Sequence, residues 1–101
     1  MPFNPPLPRP FGETSIRESA PALSGVYGVS NAVEWVYIGE TDNIQEALLR
    51  HLRESNTDIL ERHPKGFVFE VCERAARCDR QKRLVTEYRP VLQRNGSRKN
   101  L

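Results

Sequence analysis

Two tyrosines ten residues apart, Tyr27 and Tyr37, are the side chains best placed by type and spacing to do chemistry. Each belongs to a short glycine-bearing triplet, Gly25-Val26-Tyr27 and Tyr37-Ile38-Gly39. A phenol beside a metal-held water or a cation can be pushed toward phenolate, and glycines let a phosphate approach the backbone closely. Two tyrosines on a hairpin can equally form a plain cross-strand aromatic pair. Cys72 and Cys78 are the only cysteines; they lack the four-ligand spacing of a structural zinc site and are expected to be a reduced, inert pair.

The elements that must position these groups follow from periodicity. Residues 25–30 and 34–39 are rich in β-branched and aromatic types around Asn31-Ala32-Val33, which predicts a hairpin. A turn centred on Ala32 sets Tyr27 opposite Tyr37 and Gly25 opposite Gly39, and a bulge would shift that pairing by one. Thr41-Asp42 supplies N-cap chemistry with Gln45 three residues after Asp42, and Ile44, Leu48 and Leu52 recur at helical spacing, so a helix is expected over 42–54. A short helical piece at 58–62 precedes the break at Pro64-Lys65-Gly66. Alternation over 67–72 then predicts a strand. Cys78, Gln81, Val85 and Tyr88 predict a last helix over 77–88, ending before Pro90.

The chain has 101 residues, enough for one small α+β domain of three strands and at least two helices. Five of the eight prolines fall in the first ten positions, so residues 1–22 are expected to be a Pro-rich tail or an arm laid on a domain at 23–96, with a basic tail at 97–101. Net charge is only +2, yet residues 1–72 carry six Lys/Arg against ten Asp/Glu and residues 73–101 carry nine against three. A basic last third suits a polyanion, or is simply a solvated helix face. No apolar run of 18 residues and no signal-like start is present, which predicts a cytoplasmic protein with no membrane partner.

The ordered set Gly25-Val26-Tyr27, Tyr37-Ile38-Gly39-Glu40-Thr41-Asp42-Asn43-Ile44, the helix with His51, the strand 67–72 and Tyr88-Arg89-Pro90 resembles the GIY-YIG nuclease superfamily over about Ser24 to Asn95. The resemblance implies a small GIY-YIG-like domain with a three-stranded antiparallel sheet flanked by helices. It also implies hydrolysis of a DNA phosphodiester with one divalent metal. By position, Tyr27 would orient or activate the attacking water and Tyr37 would lie beside the scissile phosphate.

Three positions depart from the superfamily pattern. Ala47 stands where active relatives carry an arginine, Gln81 where they carry the metal-binding glutamate, and Gln93 where asparagine is usual. An amide lacks the charge that holds a hard Mg²⁺ ion against its hydration shell. Losing a positioned cation typically costs about 10²–10³-fold in rate, and losing the sole carboxylate ligand can abolish the reaction. Candidate substitutes are Arg50 for the cation and Glu40, Asp42 or Glu70 for the ligand. His51 is either a phosphate contact or a partly buried helix histidine. Gln81, inside an apolar stripe, should hydrogen-bond locally or line a wet cleft, and the cleft is expected.

The expectation is therefore a catalytically degenerate nuclease-like domain, a pseudoenzyme with no resident metal. It would keep weak nucleic-acid backbone binding through Arg77, Arg80, Lys82, Arg83, Arg89 and Arg94. A rearranged, active endonuclease using Mg or Mn on DNA is the first alternative. A protein-interaction module or homo-oligomer built on the arm and sheet edge is the second.

Overall fold

The hairpin forms from Gly25–Ser30 and Trp35–Thr41, but its register differs from the expected one. Tyr27 faces Gly39, Val29 faces Tyr37 and Gly25 faces Thr41, with a bulge beyond Val29 that pairs Ser30 with Trp35. The turn is responsible. Asn31 closes it at both ends, its N–H donating to Glu34 O at 2.9 Å and its Oδ1 accepting from the N–H groups of Val33 and Glu34, each at 2.9 Å. The loop therefore extends to Glu34 and the pairing is displaced by two residues. An even displacement keeps every side chain on its face of the sheet, so both tyrosines still share one side.

The computed structural model describes residues 3, 7–54 and 58–93; positions 1–2 and 4–6 of the expected arm and the whole expected basic tail at 97–101 lie outside them. In chain order the elements are β1 (Arg9–Pro10), α1 (Glu13–Ser19), β2 (Gly25–Ser30), β3 (Trp35–Thr41), α2 (Ile44–Arg53), α3 (Asp58–Glu61), β4 (Gly66–Val71), α4 (Arg74–Tyr88) and a 3₁₀ turn at Val91–Gln93. The sheet order is β1-β4-β2-β3, antiparallel throughout, so it has four strands rather than three. The extra strand is two residues long, Arg9 beside Phe67 and Pro10 beside Gly66. Proline is tolerated there because β1 is an edge.

The segment expected as a tail or arm also holds a helix, α1, whose Ile16 is fully buried. A single apolar residue in Glu-Thr-Ser-Ile-Arg-Glu-Ser leaves no periodicity to read.

Strand alternation divides the core into two layers. On one face Tyr27, Val29 and Phe67 pack with Ile16 of α1, Ile44, Leu48 and Leu49 of α2, and Ile59 of α3. On the other, Val26, Ile38 and Val68 pack with Leu84 of α4 and with Phe3. Helix α2 starts two residues later than expected: Asn43, not Asp42, is the N-cap, accepting from the Glu46 N–H at 3.0 Å. Helix α4 starts earlier, at Arg74, and its buried residue is Leu84, while Cys78 is exposed. Of the expected stripe, Gln81, Val85 and Tyr88 do lie on the inner face, joined there by Arg77 and Arg80, polar side chains that meet polar partners on the sheet. Arg89 ends the helix in the left-handed region (φ 51°), its N–H donating to Val85 O at 2.8 Å ahead of Pro90.

Candidate active site and its strand-edge network

Tyr27, Tyr37 and His51 form one aromatic cluster between β2, β3 and α2. The Tyr27 hydroxyl lies 2.6 Å from His51 Nε2, the two tyrosine rings are 6.2 Å apart, and the His51 ring is 5.6 Å from each of them. Gly39 explains how Tyr27 reaches this place. A Cβ on Gly39 would meet the Tyr27 hydroxyl at 2.6 Å and its Cζ at 2.7 Å, so the glycine of the second triplet makes room for the tyrosine of the first. At Gly25 an added Cβ would run into the backbone carbonyl of Glu70 and lie 2.7 Å from Ile44 Cδ1. The space beside both glycines is filled by the protein's own atoms rather than held open for a phosphate.

Electrostatics in this cluster favour neutral groups. Tyr27 is 4% exposed, and its burial, with Tyr37 adding to the effect, raises the phenol pKa far above its ordinary value; Arg50 opposes this only in part. Tyr37 is shifted up as well, by burial and then by the Glu40 carboxylate. Desolvation lowers the His51 pKa, with Arg50 acting in the same direction and Glu54 against it. A protonated phenol therefore faces an uncharged imidazole, the reverse of a phenol pushed toward phenolate.

Of the other expected site residues, Ala47 is half-buried one turn before His51 and packs against the core that includes Tyr27, Ile44 and Leu48. Arg50 is an exposed side chain 4.0 Å from Glu46, close enough for its charge to act on both Tyr27 and His51.

Gln81 and Gln93 lie elsewhere and converge on the backbone of one residue, Ile38. β3 is the outer strand of the sheet, and at Ile38 its backbone is met by side-chain amides. Gln93 Oε1 accepts from Ile38 N–H at 2.9 Å, Gln93 Nε2 donates to Ile38 O at 2.8 Å, and Gln81 Nε2 donates to the same oxygen at 3.1 Å. Gln93 thus reproduces the paired bonds of a neighbouring strand. Gln81 therefore does not take the expected place in a wet cleft: its amide is committed to the sheet backbone, 43 residues away in the chain.

The two innermost arginines of α4 are engaged with carboxylates. Arg77 Nε donates to Glu40 at 2.8 Å, and its Nη1 donates to Ser24 Oγ at 3.1 Å and to Asp42. The guanidinium holds the Asp42 carboxyl below its usual range. Arg80 meets Glu70 through Nε and Nη2, both at 2.8 Å. Lys82, Arg83 and Arg89 are exposed, and Arg94 lies outside the described residues. Cys72 and Cys78 carry free thiols, the Cys72 pKa raised by burial and by Glu70. The hub role of Arg77 had no local signal, since its partners are 35 to 53 residues away in the chain.

A four-stranded antiparallel sheet with the paired tyrosine triplets on its central hairpin and helices on both faces is the GIY-YIG endonuclease fold. The particular likeness is to the GIY-YIG N-terminal endonuclease domain of UvrC from Thermotoga maritima bound to its catalytic magnesium. It has a TM-score of 0.63 and 22% identity, and covers 74% of this chain and 91% of that one. An asparagine-to-alanine point mutant of that domain matches with a TM-score of 0.63 and 22% identity, and a tyrosine-to-phenylalanine mutant with 0.62 and 21%, each over 74% of this chain and 90% of the other. No family model and no curated protein matches the chain.

Proposed function

We propose that this chain is a GIY-YIG domain that has lost metal-dependent phosphodiester hydrolysis and retains binding to nucleic-acid backbone. The observation that carries the first half is the state of the carboxylates. The solved relative holds a divalent cation, and here the residues do not fit one. Gln81 turns its amide nitrogen to Ile38 O, Glu40 and Asp42 both meet Arg77, and Glu70 meets Arg80. Among the described residues no group of three or more His, Cys, Asp or Glu side chains is arranged to hold a metal ion.

The binding half is supported by cations at the surface of the fold. Lys82, Arg83 and Arg89 lie on or just after α4, while Arg17, Arg50 and Arg53 line a cleft of about 390 Å³ between α1 and α2. The ion pairs along that cleft are solvent-exposed, at 3.0 to 4.0 Å, and weak enough for phosphates to displace. Arg77 and Arg80 are left out of this surface. Binding of this kind reads backbone rather than bases and weakens steeply with salt. Among the described residues no helix is long and apolar enough to cross a membrane.

The 2.6 Å contact of Tyr27 with His51 favours a second reading, an endonuclease with a rearranged site. Labelled linear and branched DNA incubated with Mg²⁺ or Mn²⁺ separates the two. We expect no cutting by the wild-type chain above Tyr27→Phe, and DNA retention that falls with salt and drops further in Lys82→Ala/Arg83→Ala. Metal-dependent cutting abolished by Tyr27→Phe would establish the enzyme instead.

A further inference from the structure

Helix α4 and strand β3 run along one another as a ladder of polar rungs. Arg77 meets Glu40 and, one helical turn on, Gln81 meets Ile38, two residues back along the strand. Four residues of helix advance about 6 Å and two of a strand about 6.7 Å, so the rungs stay in step. Gln81 occupies the position at which the superfamily pattern places its metal-holding glutamate. The rung beside it joins four separate segments: Ser24 before β2, Glu40 in β3, Asp42 in the loop before α2, and α4 itself. Its side chain is 12% exposed.

We propose that Arg77 is a resident cation: its guanidinium gathers the carboxylates of Glu40 and Asp42 at the junction of sheet and helices, and the chain reaches its final shape without a divalent ion. Two carboxylates brought together by the fold repel one another unless a positive charge lies between them. A guanidinium supplies that charge together with several donors fixed in one plane, which suits partners on three segments. Arg77 therefore stands in for an ion that the amide of Gln81 could not hold.

This inference rests on the reading above that metal-dependent hydrolysis is lost, and its test reads metal binding and stability rather than cleavage. Thermal melts of the full chain are compared in EDTA, Mg²⁺ and Mn²⁺ at matched ionic strength for the wild type, Arg77→Lys, Arg77→Gln and Arg77→Gln/Glu40→Gln. Mn²⁺ binding is followed by the electron paramagnetic resonance signal of the free ion.

The wild type is expected to melt at one temperature in all three conditions and to leave the Mn²⁺ signal unchanged, and Arg77→Lys, which keeps a charge, to do the same. Arg77→Gln should melt several degrees lower in EDTA, regain part of that loss in Mg²⁺ or Mn²⁺, and lose the regain when Glu40→Gln is added. Mn²⁺ taken up by the wild type, a wild-type melt raised by either ion, or an Arg77→Gln melt indifferent to metal would each overturn the proposal. Should Arg77→Gln not fold, the wild-type titration and the Arg77→Lys melts still decide. Mn²⁺ held by a wild type that does not cleave sinks this inference alone; metal-dependent cleavage of DNA by a wild type whose melt and Mn²⁺ signal are indifferent to the ion sinks only the loss of hydrolysis.

Discussion

The Tyr27 hydroxyl and His51 Nε2 are hydrogen-bonded at 2.6 Å, in a cluster that burial keeps uncharged. Stability should depend on pH accordingly. The folded-state pKa of His51 lies below its ordinary value of 6.5, so below about that pH the unfolded chain binds more protons than the folded one. Acid therefore destabilises the fold from about pH 6.5 downward, toward the lowered His51 value. Denaturant midpoints measured between pH 8 and 5 should fall for the wild type and fall less for His51→Gln. Equal slopes in the two proteins would remove His51 as the cause. The paired Asp42 carboxyl acts in a separate window, losing its contribution only below its ordinary value of 3.8.

Gly39→Ala tests the seat of Tyr27. The added methyl would lie 2.6 Å from the phenol oxygen, and the whole ring must move. Overpacking of this kind costs about 1–3 kcal/mol, and the separation from His51 should break as well. Urea denaturation reads the first effect and the tyrosine ultraviolet spectrum the second. A variant as stable as the wild type, with an unchanged spectrum, would show that Gly39 is not needed for space.

Phe3 is 1% exposed and packs against the Trp35 and Tyr88 pair, with ring centroids 6.1 and 5.6 Å away and 4.7 Å between the pair itself. Its N–H donates to the Tyr88 hydroxyl at 3.1 Å, and a Cβ on Gly28 would meet its ring at 3.0 Å. Phe3→Ala should cost about 3–5 kcal/mol, a large share of the stability of so small a domain. Chemical denaturation checks this. A loss below 1 kcal/mol would show the slot to be filled by something else in solution.

Gln93→Ala should act on solubility as well as stability. Two hydrogen bonds to Ile38 are lost, about 1–3 kcal/mol, and the outer edge of β3 opens to another chain. Light scattering should detect association in Gln93→Ala at concentrations where the wild type remains at constant mass. A constant mass in both would show that the Gln93 amide does not guard the edge.

Much of the architecture was legible because local patterns carry it. Alternation at Phe67, Val68 and Phe69, the Ile44 and Leu48 spacing, and the glycine-tyrosine triplets each specify their element within a few residues. The hairpin register was not, because it depended on Asn31 hydrogen-bonding to Glu34 rather than on the composition of the strands. α1 and β1 escaped because a helix with one buried residue and a strand of two leave no period. In the site, the Tyr27, Tyr37 and His51 cluster followed from a shared face and a helix position. Arg77 and Arg80 did not, since a charge on a helix reads as solvated until its distant partner is known. Gln81 and Gln93 were located by position, yet their common target, the backbone of Ile38 in β3, is set by the fold and not by the sequence around them.

The bond from Phe3 to Tyr88 joins positions 85 residues apart. On the ribosome Phe3 emerges long before α4 is made, so its seat against Trp35 and Tyr88 is completed only once α4 has followed. Until then Val26, Ile38 and Val68 lack the cover that Leu84 supplies. The emergence of α4, rather than the growth of a stable front half, is the event that lets this domain close.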